Sequence, residues 1–406
     1  MVIISAAAWR RYEQGDPAMK MRATGAPRKS AAWCVADLEA MAERRLPRIV
    51  YDFLEGGAED ELSMAWNKDG FSRRRFVPQP LKGTATPAIG VDLFGASCPL
   101  PFGVAPIGLA DLVWPGAAAA LARLAGELGI PYILSTAASI SIEQAAALAG
   151  DHLWFQLYAA DDARVTDDLL RRAAAAGVNN LVFTVDVARP ARRFRDLRHG
   201  LKPDFRPSFR QWSDFLRHPF WSAAIMRHGR PQLANMSAYK DLAEARRTQP
   251  GAFISAPRAD WTTLHRLRAA WPGNLIVKGV LAPEEAVAIE AAGADGIIVS
   301  NHGGRQLDGV CAAIDALPAI CEVLRPSTKV MLDSGIRRGS DVVKAFAEGA
   351  HFVFLGRSWL YAVAALGPEA GPPALVEILR EELENVLTHL GCDRMPGRHC
   401  GVLSRS

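Results

Sequence analysis

The chain is expected to be an α/β protein, a (β/α)8 TIM barrel with a short N-terminal helical segment and a long insertion after strand 4. Three observations predict this. From about residue 100, short apolar runs alternate with Ala-rich helical stretches. The runs number eight, as a closed parallel barrel requires. Nearly every run also ends in glycine or polar residues, as expected where an active site is built at the C-terminal ends of barrel strands. An open doubly wound sheet is the structural rival, but it rarely needs eight such units. No GxGxxG follows the first run, so a dinucleotide-binding sheet is unsupported.

The strands are read in order as Pro101–Pro106, Tyr132–Thr136, Leu153–Tyr158, Leu181–Asp186, Leu275–Gly279, Gly296–Asn301, Lys329–Asp333 and Phe352–Gly356. Helical stretches between them include Ala117–Leu128, Asp167–Ala176, Glu284–Ala292 and Gly339–Glu348. The tips carry, in turn, Pro106-Ile107-Gly108, Ser135-Thr136, Gln156-Leu157-Tyr158, Thr184-Val185-Asp186 and Lys278-Gly279. The last three are Ser300 onward, Asp333-Ser334-Gly335-Ile336-Arg337 and Gly356-Arg357. A purely structural barrel has no need of such tips, so the chain reads as an enzyme.

Ahead of the barrel, residues 1–30 are Gly-, Ala- and Arg-rich and read as a mobile extension, or in part as a misassigned start, since Met19 and Met21 follow. Residues 31–99 form a lead-in in which Ala36–Arg45 is helical and is stopped by Leu46-Pro47. The barrel takes 100–395 and a tail takes 396–406. Bulk composition is that of a packed protein, with 50% apolar and 22% charged residues. A net charge of +4 gives no reason to expect a nucleic-acid partner. Six scattered cysteines without a CxxC pair read as reduced thiols of a cytoplasmic protein, and no His/Cys spacing suggests a metal. Val2–Trp9 is too short, and its basic residues are on the wrong side, for a signal peptide. Pro99–Ala122 contains Asp111 and several prolines, which excludes a membrane-spanning helix there.

The fourth connection, 187–257, is far longer than one crossover helix. Its middle, 199–239, mixes Phe205, Phe209, Trp212, Phe215, Phe220 and Trp221 with Lys202, Arg206, Arg210, Arg217, Arg227 and Arg230. Prolines 203, 207, 219 and 231 forbid one continuous helix. Aromatic and basic residues together suit an interfacial segment on an anionic membrane. A lid over the barrel mouth, or a subunit contact, is the alternative.

The most informative stretch is Ser300-Asn301-His302-Gly303-Gly304-Arg305-Gln306-Leu307-Asp308, directly after the buried run Gly296–Val299. Its glycines allow close approach of backbone and ligand. Its His offers an imidazole base, and its Arg offers a fork for a carboxylate or phosphate. Together they suit proton removal from a bound organic acid. At the last two tips, Gly335, Arg337, Gly356 and Arg357 read as a phosphate site, the usual use of those loops in such barrels. One phosphate plus polar groups from the earlier strands fits a flavin mononucleotide across the mouth. Lys278 would then face the electron-rich edge of the ring; its alternative role is an ion pair inside the barrel.

On these motifs the sequence resembles the FMN-dependent 2-hydroxy-acid dehydrogenase/oxidase family. The resemblance spans roughly residues 35–392 and adds Tyr51–Asp60, Trp154–Tyr158 and Asp333–Gly339 to the stretch above. Arg227–Asn235 and the insertion look most like the membrane-associated (S)-mandelate and L-lactate dehydrogenase branch. The resemblance implies FMN as cofactor and oxidation of an L-2-hydroxy acid to the 2-oxo acid. Electrons would pass to membrane quinone, with transfer to O2 and release of hydrogen peroxide as the alternative. It further implies a homotetramer, peripheral on the inner face of the cell membrane. His302 would be the base and Asp186 its orienting partner. Arg193 and Arg305 would clamp the substrate carboxylate, although Arg192 would replace Arg193 if the register slipped by one. Tyr158 would bond near the reacting hydroxyl. Pro106, Ile107, Gly108, Ser135, Gln156, Thr184, Lys278 and Ser300 would hold the flavin ring and ribityl chain. Asp333, Ser334, Gly335, Ile336 and Arg337 with Gly356 and Arg357 would hold the ribityl and phosphate end. One position departs from the pattern: Phe53 stands where the family has a carboxylate-binding tyrosine. Ala137 is small where glycolate-type oxidases carry a large aromatic, which leaves room for a bulkier acid. A flavin-binding protein without hydroxy-acid activity is the remaining rival, favoured only by Phe53.

Overall fold

The computed structural model describes residues 32–83, 86–160, 162–200, 205–239 and 259–404. The expected N-terminal extension lies outside them, as do 201–204 and 240–258 of the insertion. Eight parallel strands close a barrel: β3 (Phe102–Val104), β4 (Tyr132–Ser135), β5 (Leu153–Leu157), β6 (Asn180–Thr184), β7 (Asn274–Val280), β8 (Gly296–Val299), β9 (Lys329–Leu332) and β10 (Phe352–Leu355). β10 pairs with β3 to complete the ring, for example Phe354 with Gly103. The runs are continuously apolar because both faces are buried, as in all-parallel sheets. Ile133, Trp154, Val182, Ile276, Ile298, Met331, Phe352 and Phe354 fill the interior, while their neighbours, such as Leu134, Phe155, Leu181 and Val277, face the helices.

A short hairpin, β1 (Val91–Leu93) and β2 (Ala96–Cys98), adds Leu93 and Cys98 to this interior cluster. Its turn is made by Phe94 and Gly95, both at positive φ, and the Phe94 ring meets Trp154 edge-on at 5.7 Å. Nothing in the strand count anticipates this hairpin.

The N-terminal segment supplies α1 (Val35–Arg45), α2 (Arg48–Glu55) and α3 (Leu62–Arg73). Around the barrel run α4 (Ala110–Val113), α5 (Ala117–Leu128), α6 (Ile142–Ala149) and α7 (Ala163–Ala175). α7 begins before the expected Asp167 because Asp162 caps it, accepting a hydrogen bond from the backbone N–H of Arg164 at 3.0 Å. The insertion contributes α8 (Phe194–His199), α9 (Phe209–Arg217) and α10 (Pro219–His228), with Pro219 opening the last. The ring is completed by α11 (Trp261–Ala270), α12 (Pro283–Ala291), α13 (Ala313–Val323), α14 (Gly339–Ala347) and α15 (Arg357–Leu366), and α16 (Gly371–Leu390) ends the helical part.

Several ties hold the described part of the insertion against the body, among them two from its helices. Trp221 on α10 is buried and its indole N–H donates to the carbonyls of Leu112 and Val113, at 3.3 and 3.1 Å. His199 on α8 meets Asp52 on α2 at 2.8 Å. The outer side of α9 and α10 is a different surface: Phe209, Leu216, Phe220 and Met226 are 77–91% exposed. Among the described residues no helix is long and apolar enough to cross a membrane.

Candidate active site

A cavity of about 540 Å³ opens at the C-terminal ends of the strands. Of the residues expected at the site, Phe53, Pro106, Ile107, Gly108, Ser135, Tyr158, Arg193, Lys278, His302 and Arg305 line it. So do Asp333, Ser334, Gly335, Ile336, Arg337, Gly356 and Arg357. Of the remaining four, Asp186, Gln156 and Ser300 are hydrogen-bonded to the lining residues His302, Ser135 and Lys278, and Thr184 ends β6. Arg192 lines the cavity too, and Arg193 is ion-paired with Asp196 at 3.3 Å.

The loop after β8 explains why His302 is held where it is. His302, Gly303 and Gly304 all have positive φ (59°, 67° and 72°), a sequence of left-handed residues that turns the chain back over the barrel. A side chain on Gly304 would sit 2.7 Å from the backbone nitrogen of Met64, so only glycine fits between this loop and α3. The loop is tied at each step. The N–H of His302 donates to Ser300 Oγ at 3.0 Å and that of Gly303 to Ser334 Oγ at 2.9 Å. Asn301 exchanges side-chain bonds with Asn67, and Asp308 accepts the N–H groups of Leu62 and Ser63 that open α3.

His302 Nδ1 lies 3.0 and 3.2 Å from the two carboxylate oxygens of Asp186. An Nδ1–H shared with that carboxylate leaves Nε2 as the basic nitrogen, and Nε2 lies 3.4 Å from the Tyr158 hydroxyl. Burial alone would push the Asp186 carboxyl up, but the adjacent charges of His302 and Lys278 and the bond from His302 outweigh it and hold Asp186 below the ordinary range. Burial, helped by Asp186, pushes the Tyr158 phenol up, so it stays a neutral donor. Gly279 makes this proximity possible: at φ 107° it interrupts the β7–β8 register, and a Cβ there would lie 2.6 Å from Asp186 Cβ.

Lys278 is almost wholly buried, with Nζ 3.0 Å from Asp333 and 2.7 Å from Ser300 Oγ. The ion pair is the one the sequence offered as its alternative role, and the side chain also lines the cavity. Desolvation would lower its ammonium, but Asp333 and Asp186 more than offset this and raise it, so it is a fixed positive charge.

Arg305 donates from Nη1 to the carbonyls of Leu54 and Gly56, at 3.2 and 2.8 Å, which belong to the C-terminal end of α2. Arg357 reaches the same two carbonyls, at 3.3 and 3.1 Å, and that of Gly303 at 2.8 Å. The Phe53 ring lies under Arg305, with the guanidinium carbon 5.5 Å from its centroid. Burial, then the neighbouring charges of Arg193 and Arg357, pulls the Arg305 guanidinium well below its ordinary value. A pocket that crowds cations in this way favours an anionic ligand.

Residues that sequence reasoning missed include Asp196, Gln306 and Leu233. Asp196 is three residues on from Arg193 on one helical turn, and Gln306 lies inside the nine-residue stretch. Leu233 stands in Arg227–Asn235, which signalled resemblance but no location.

The donor set can be tested against a flavin. Among the described residues, four buried side-chain polar atoms have no partner: Gln156 Nε2, Thr184 Oγ1, Gln306 Oε1 and Arg337 Nε. Leaving such a group unpaired costs about 1–3 kcal/mol. Three of the four belong to residues expected to hold FMN, with Gln156 and Thr184 at the ring end and Arg337 at the phosphate end. At the latter, Gly356 and Arg357 also open α15, where free backbone N–H groups favour an anion. The residues present therefore fit the group.

A closed parallel barrel whose mouth gathers a His–Asp pair, crowded arginines and buried polar atoms that a flavin could engage fits the class of flavin-dependent oxidoreductases. Comparison with known proteins narrows this. The family model described as FMN-dependent dehydrogenase matches residues 42–399. (S)-mandelate dehydrogenase of Pseudomonas putida is 40% identical over 359 residues, covering 88% of this chain and 90% of that protein. L-lactate dehydrogenase of Stenotrophomonas maltophilia (strain K279a) is 38% identical over 362 residues, covering 88% and 95%. Among solved structures, one described as the monotopic membrane protein (S)-mandelate dehydrogenase aligns with a TM-score of 0.85 at 37% identity, covering 93% of this chain and all of that one. A mandelate oxidase aligns with a TM-score of 0.77 at 36% identity, covering 92% and 98%. The chain belongs to the FMN-dependent dehydrogenase family.

Proposed function

We propose that the protein oxidises an L-2-hydroxy acid of the lactate or mandelate kind to the 2-oxo acid and passes the electrons to a membrane quinone. The observation that carries this is the His302–Asp186 pair facing a cavity that also holds Tyr158, Arg193 and Arg305. Arg193 and Arg305 bind the substrate carboxylate, with Nη1 of Arg305 fixed on α2 and its other donors left for the ligand. Tyr158 donates to the 2-hydroxyl. His302 Nε2 removes the proton from carbon 2 or its hydroxyl, and Asp186 stabilises the imidazolium that results. Bound FMN supplies the two-electron acceptor for this oxidation. Lys278 offers fixed positive charge where reduction adds negative charge. Pro106–Gly108, Ser135, Gln156, Thr184 and Ser300 hold the ring and ribityl chain, and Asp333–Arg337 with Gly356 and Arg357 hold the phosphate end. Small Ala137 in the wall admits a bulky substituent.

The membrane contact in this reading is the face of α9 and α10, where exposed Phe209, Trp212, Leu216 and Phe220 stand among Arg206, Arg210 and Arg217. A relative described as a monotopic membrane protein supports it. We assign the protein to the inner face of the cell membrane and to a homotetramer, which vesicle flotation and mass measurement by light scattering test. A second reading, an oxidase using O2, is supported by the likeness to a mandelate oxidase.

The test is anaerobic mixing of the yellow holoenzyme with L-lactate, L-mandelate and longer 2-hydroxy acids while flavin absorbance is followed. Bleaching by one acid is expected, followed by slow reoxidation when O2 is admitted and fast reoxidation with a quinone. Fast reoxidation by O2 would select the oxidase, and a flavin that no acid bleaches would end the hydroxy-acid reading.

A further inference from the structure

The place where the insertion rejoins the body has no part in the reaction as drawn, yet it contains a fully buried polar side chain. Asn235 is 0% exposed. Its Oδ1 accepts the N–H of Ile142, the first residue of α6, at 2.9 Å. Its amide nitrogen donates to the carbonyls of Ile140 at 3.4 Å and Ser135 at 3.5 Å. The flanking backbone repeats the attachment, since the N–H of Ala234 donates to the carbonyl of Ala138 at 3.0 Å. All of these partners lie in the connection from the tip of β4 to α6. Two members of that connection, Ser135 and Ala137, line the cavity, and so does Leu233, two residues before Asn235.

The cavity wall divides by chemistry. His302, Tyr158, Arg193 and Arg305 take the carboxylate and the hydroxyl. What remains for the substituent on carbon 2 is an uncharged surface that includes Leu109, Ala137, Val187 and Leu233. Leu109 and Ala137 are themselves joined, N–H to carbonyl, at 3.0 Å. Leu233 is thus an uncharged side chain of the insertion that lines the cavity and stands two residues from a buried amide tied to the β4–α6 connection.

We propose that Leu233 is a specificity-determining residue that sets the size of the substituent accepted on carbon 2, and that Asn235 is the positioning residue that holds it. The proposal rests on the hydroxy-acid reading and adds to it a determinant outside the barrel strands. A buried amide suits this task because all three of its bonds go to one short segment. Removing it frees Leu233 and the β4 tip together. A methylene more or less in an apolar substrate pocket changes discrimination by about 10- to 200-fold.

The experiment compares kcat/KM for L-lactate and L-mandelate in the holoenzyme and in Leu233→Ala, Leu233→Phe, Asn235→Ala and Asn235→Ser. A second readout is the calorimetric Kd of the oxidised holoenzyme for the corresponding 2-oxo acids, pyruvate and phenylglyoxylate. Leu233→Phe is expected to shift the ratio of kcat/KM at least about 10-fold toward lactate, and Leu233→Ala to shift it the other way. Asn235→Ala is expected to bring the ratio toward one, mainly through KM, with the same change in the ratio of Kd values. Asn235→Ser, which retains a hydroxyl, should fall between it and the parent. Ratios within about twofold of the parent in both Leu233 variants would overturn the specificity role. A uniform loss on both acids in the Asn235 variants, kcat and KM alike, would overturn the positioning role. If Asn235→Ala fails to fold, Asn235→Ser and the two Leu233 variants still decide the question. A parent enzyme that neither acid reduces would end the hydroxy-acid reading instead, a result distinct from unchanged ratios in an active enzyme.

Discussion

The loop after β8 and the insertion after β6 both reach the mouth of the barrel, but they are built on opposite principles. In the β8 loop, Ser300–Asp308, nearly every polar group has a fixed partner. Asn301 is bonded to Asn67, Asp308 caps α3, Gly303 is held by Ser334 and His302 by Asp186. In the insertion, Phe209, Leu216, Phe220 and Met226 are largely exposed among the described residues, and Trp221, Asn235 and a few ion pairs are among the anchors of the segment. The base proposed at His302 would have to be held to a fraction of an ångström, and its loop is fixed to match. A surface that meets a fluid partner needs area and charge, not a unique geometry.

Changes in the two regions should therefore fail in different ways. The largest effect is expected from His302→Ala: loss of the base lowers the rate of flavin reduction by roughly 10⁴-fold, with FMN retained, as stopped-flow absorbance would show. Asp186→Asn comes next. It keeps the shape but not the charge that favours the imidazolium, and about 10²- to 10³-fold is expected in the same assay. This variant also carries a pH signature. The Asp186 carboxyl is held below its ordinary value in the folded protein. Its stabilising contribution is complete above the unfolded-state value of about 3.9 and is lost as pH falls through the lower folded value. Denaturant titrations between pH 7 and pH 3 should show a shallower acid loss in Asp186→Asn than in the parent.

A more moderate effect is expected at Phe53, which lies on α2 beneath Arg305. Phe53→Tyr restores a hydroxyl to a site that binds a carboxylate. A hydrogen bond to a charged group is worth about 1.5–3 kcal/mol, so KM for the best acid should fall by about tenfold or more. If KM does not fall, the missing hydroxyl does not limit binding. The smallest effect on chemistry is expected from the triple change Phe209→Ser, Leu216→Ser and Phe220→Ser. Flotation with anionic vesicles should be lost, while turnover with a soluble acceptor stays within about twofold, because exposed substitutions seldom shift stability by more than about 0.5 kcal/mol. A comparable loss of turnover would mean that the two regions are not separate.

Much of this was legible in the sequence. All eight barrel strands fall where the apolar runs place them, because burial on both faces leaves a continuous signal. The hairpin at Val91–Cys98 was not legible: its strands have three residues each, too few for a period, and its place under the barrel follows from the Phe94 ring meeting Trp154 across the chain. The nine-residue stretch pointed to His302 and Arg305, both of which line the cavity, yet did not show that Asn301 and Asp308 serve to join the loop to α3. Asp196 and Leu233 were overlooked for a similar reason, since each becomes a wall of the cavity only when its segment folds back over it.

The sequence by itself determined the fold class, the family and the order in which the strands present their polar tips. These depend on local periodicity and on residue chemistry, which are written along the chain. Only the tertiary structure decided which nitrogen of His302 faces the cavity, that Arg305 and Arg357 share the last carbonyls of α2, and that a buried asparagine ties the insertion to the β4 tip. Each joins segments far apart in sequence. Hydrogen-bond geometry, unlike periodicity, exists only once the chain has closed on itself.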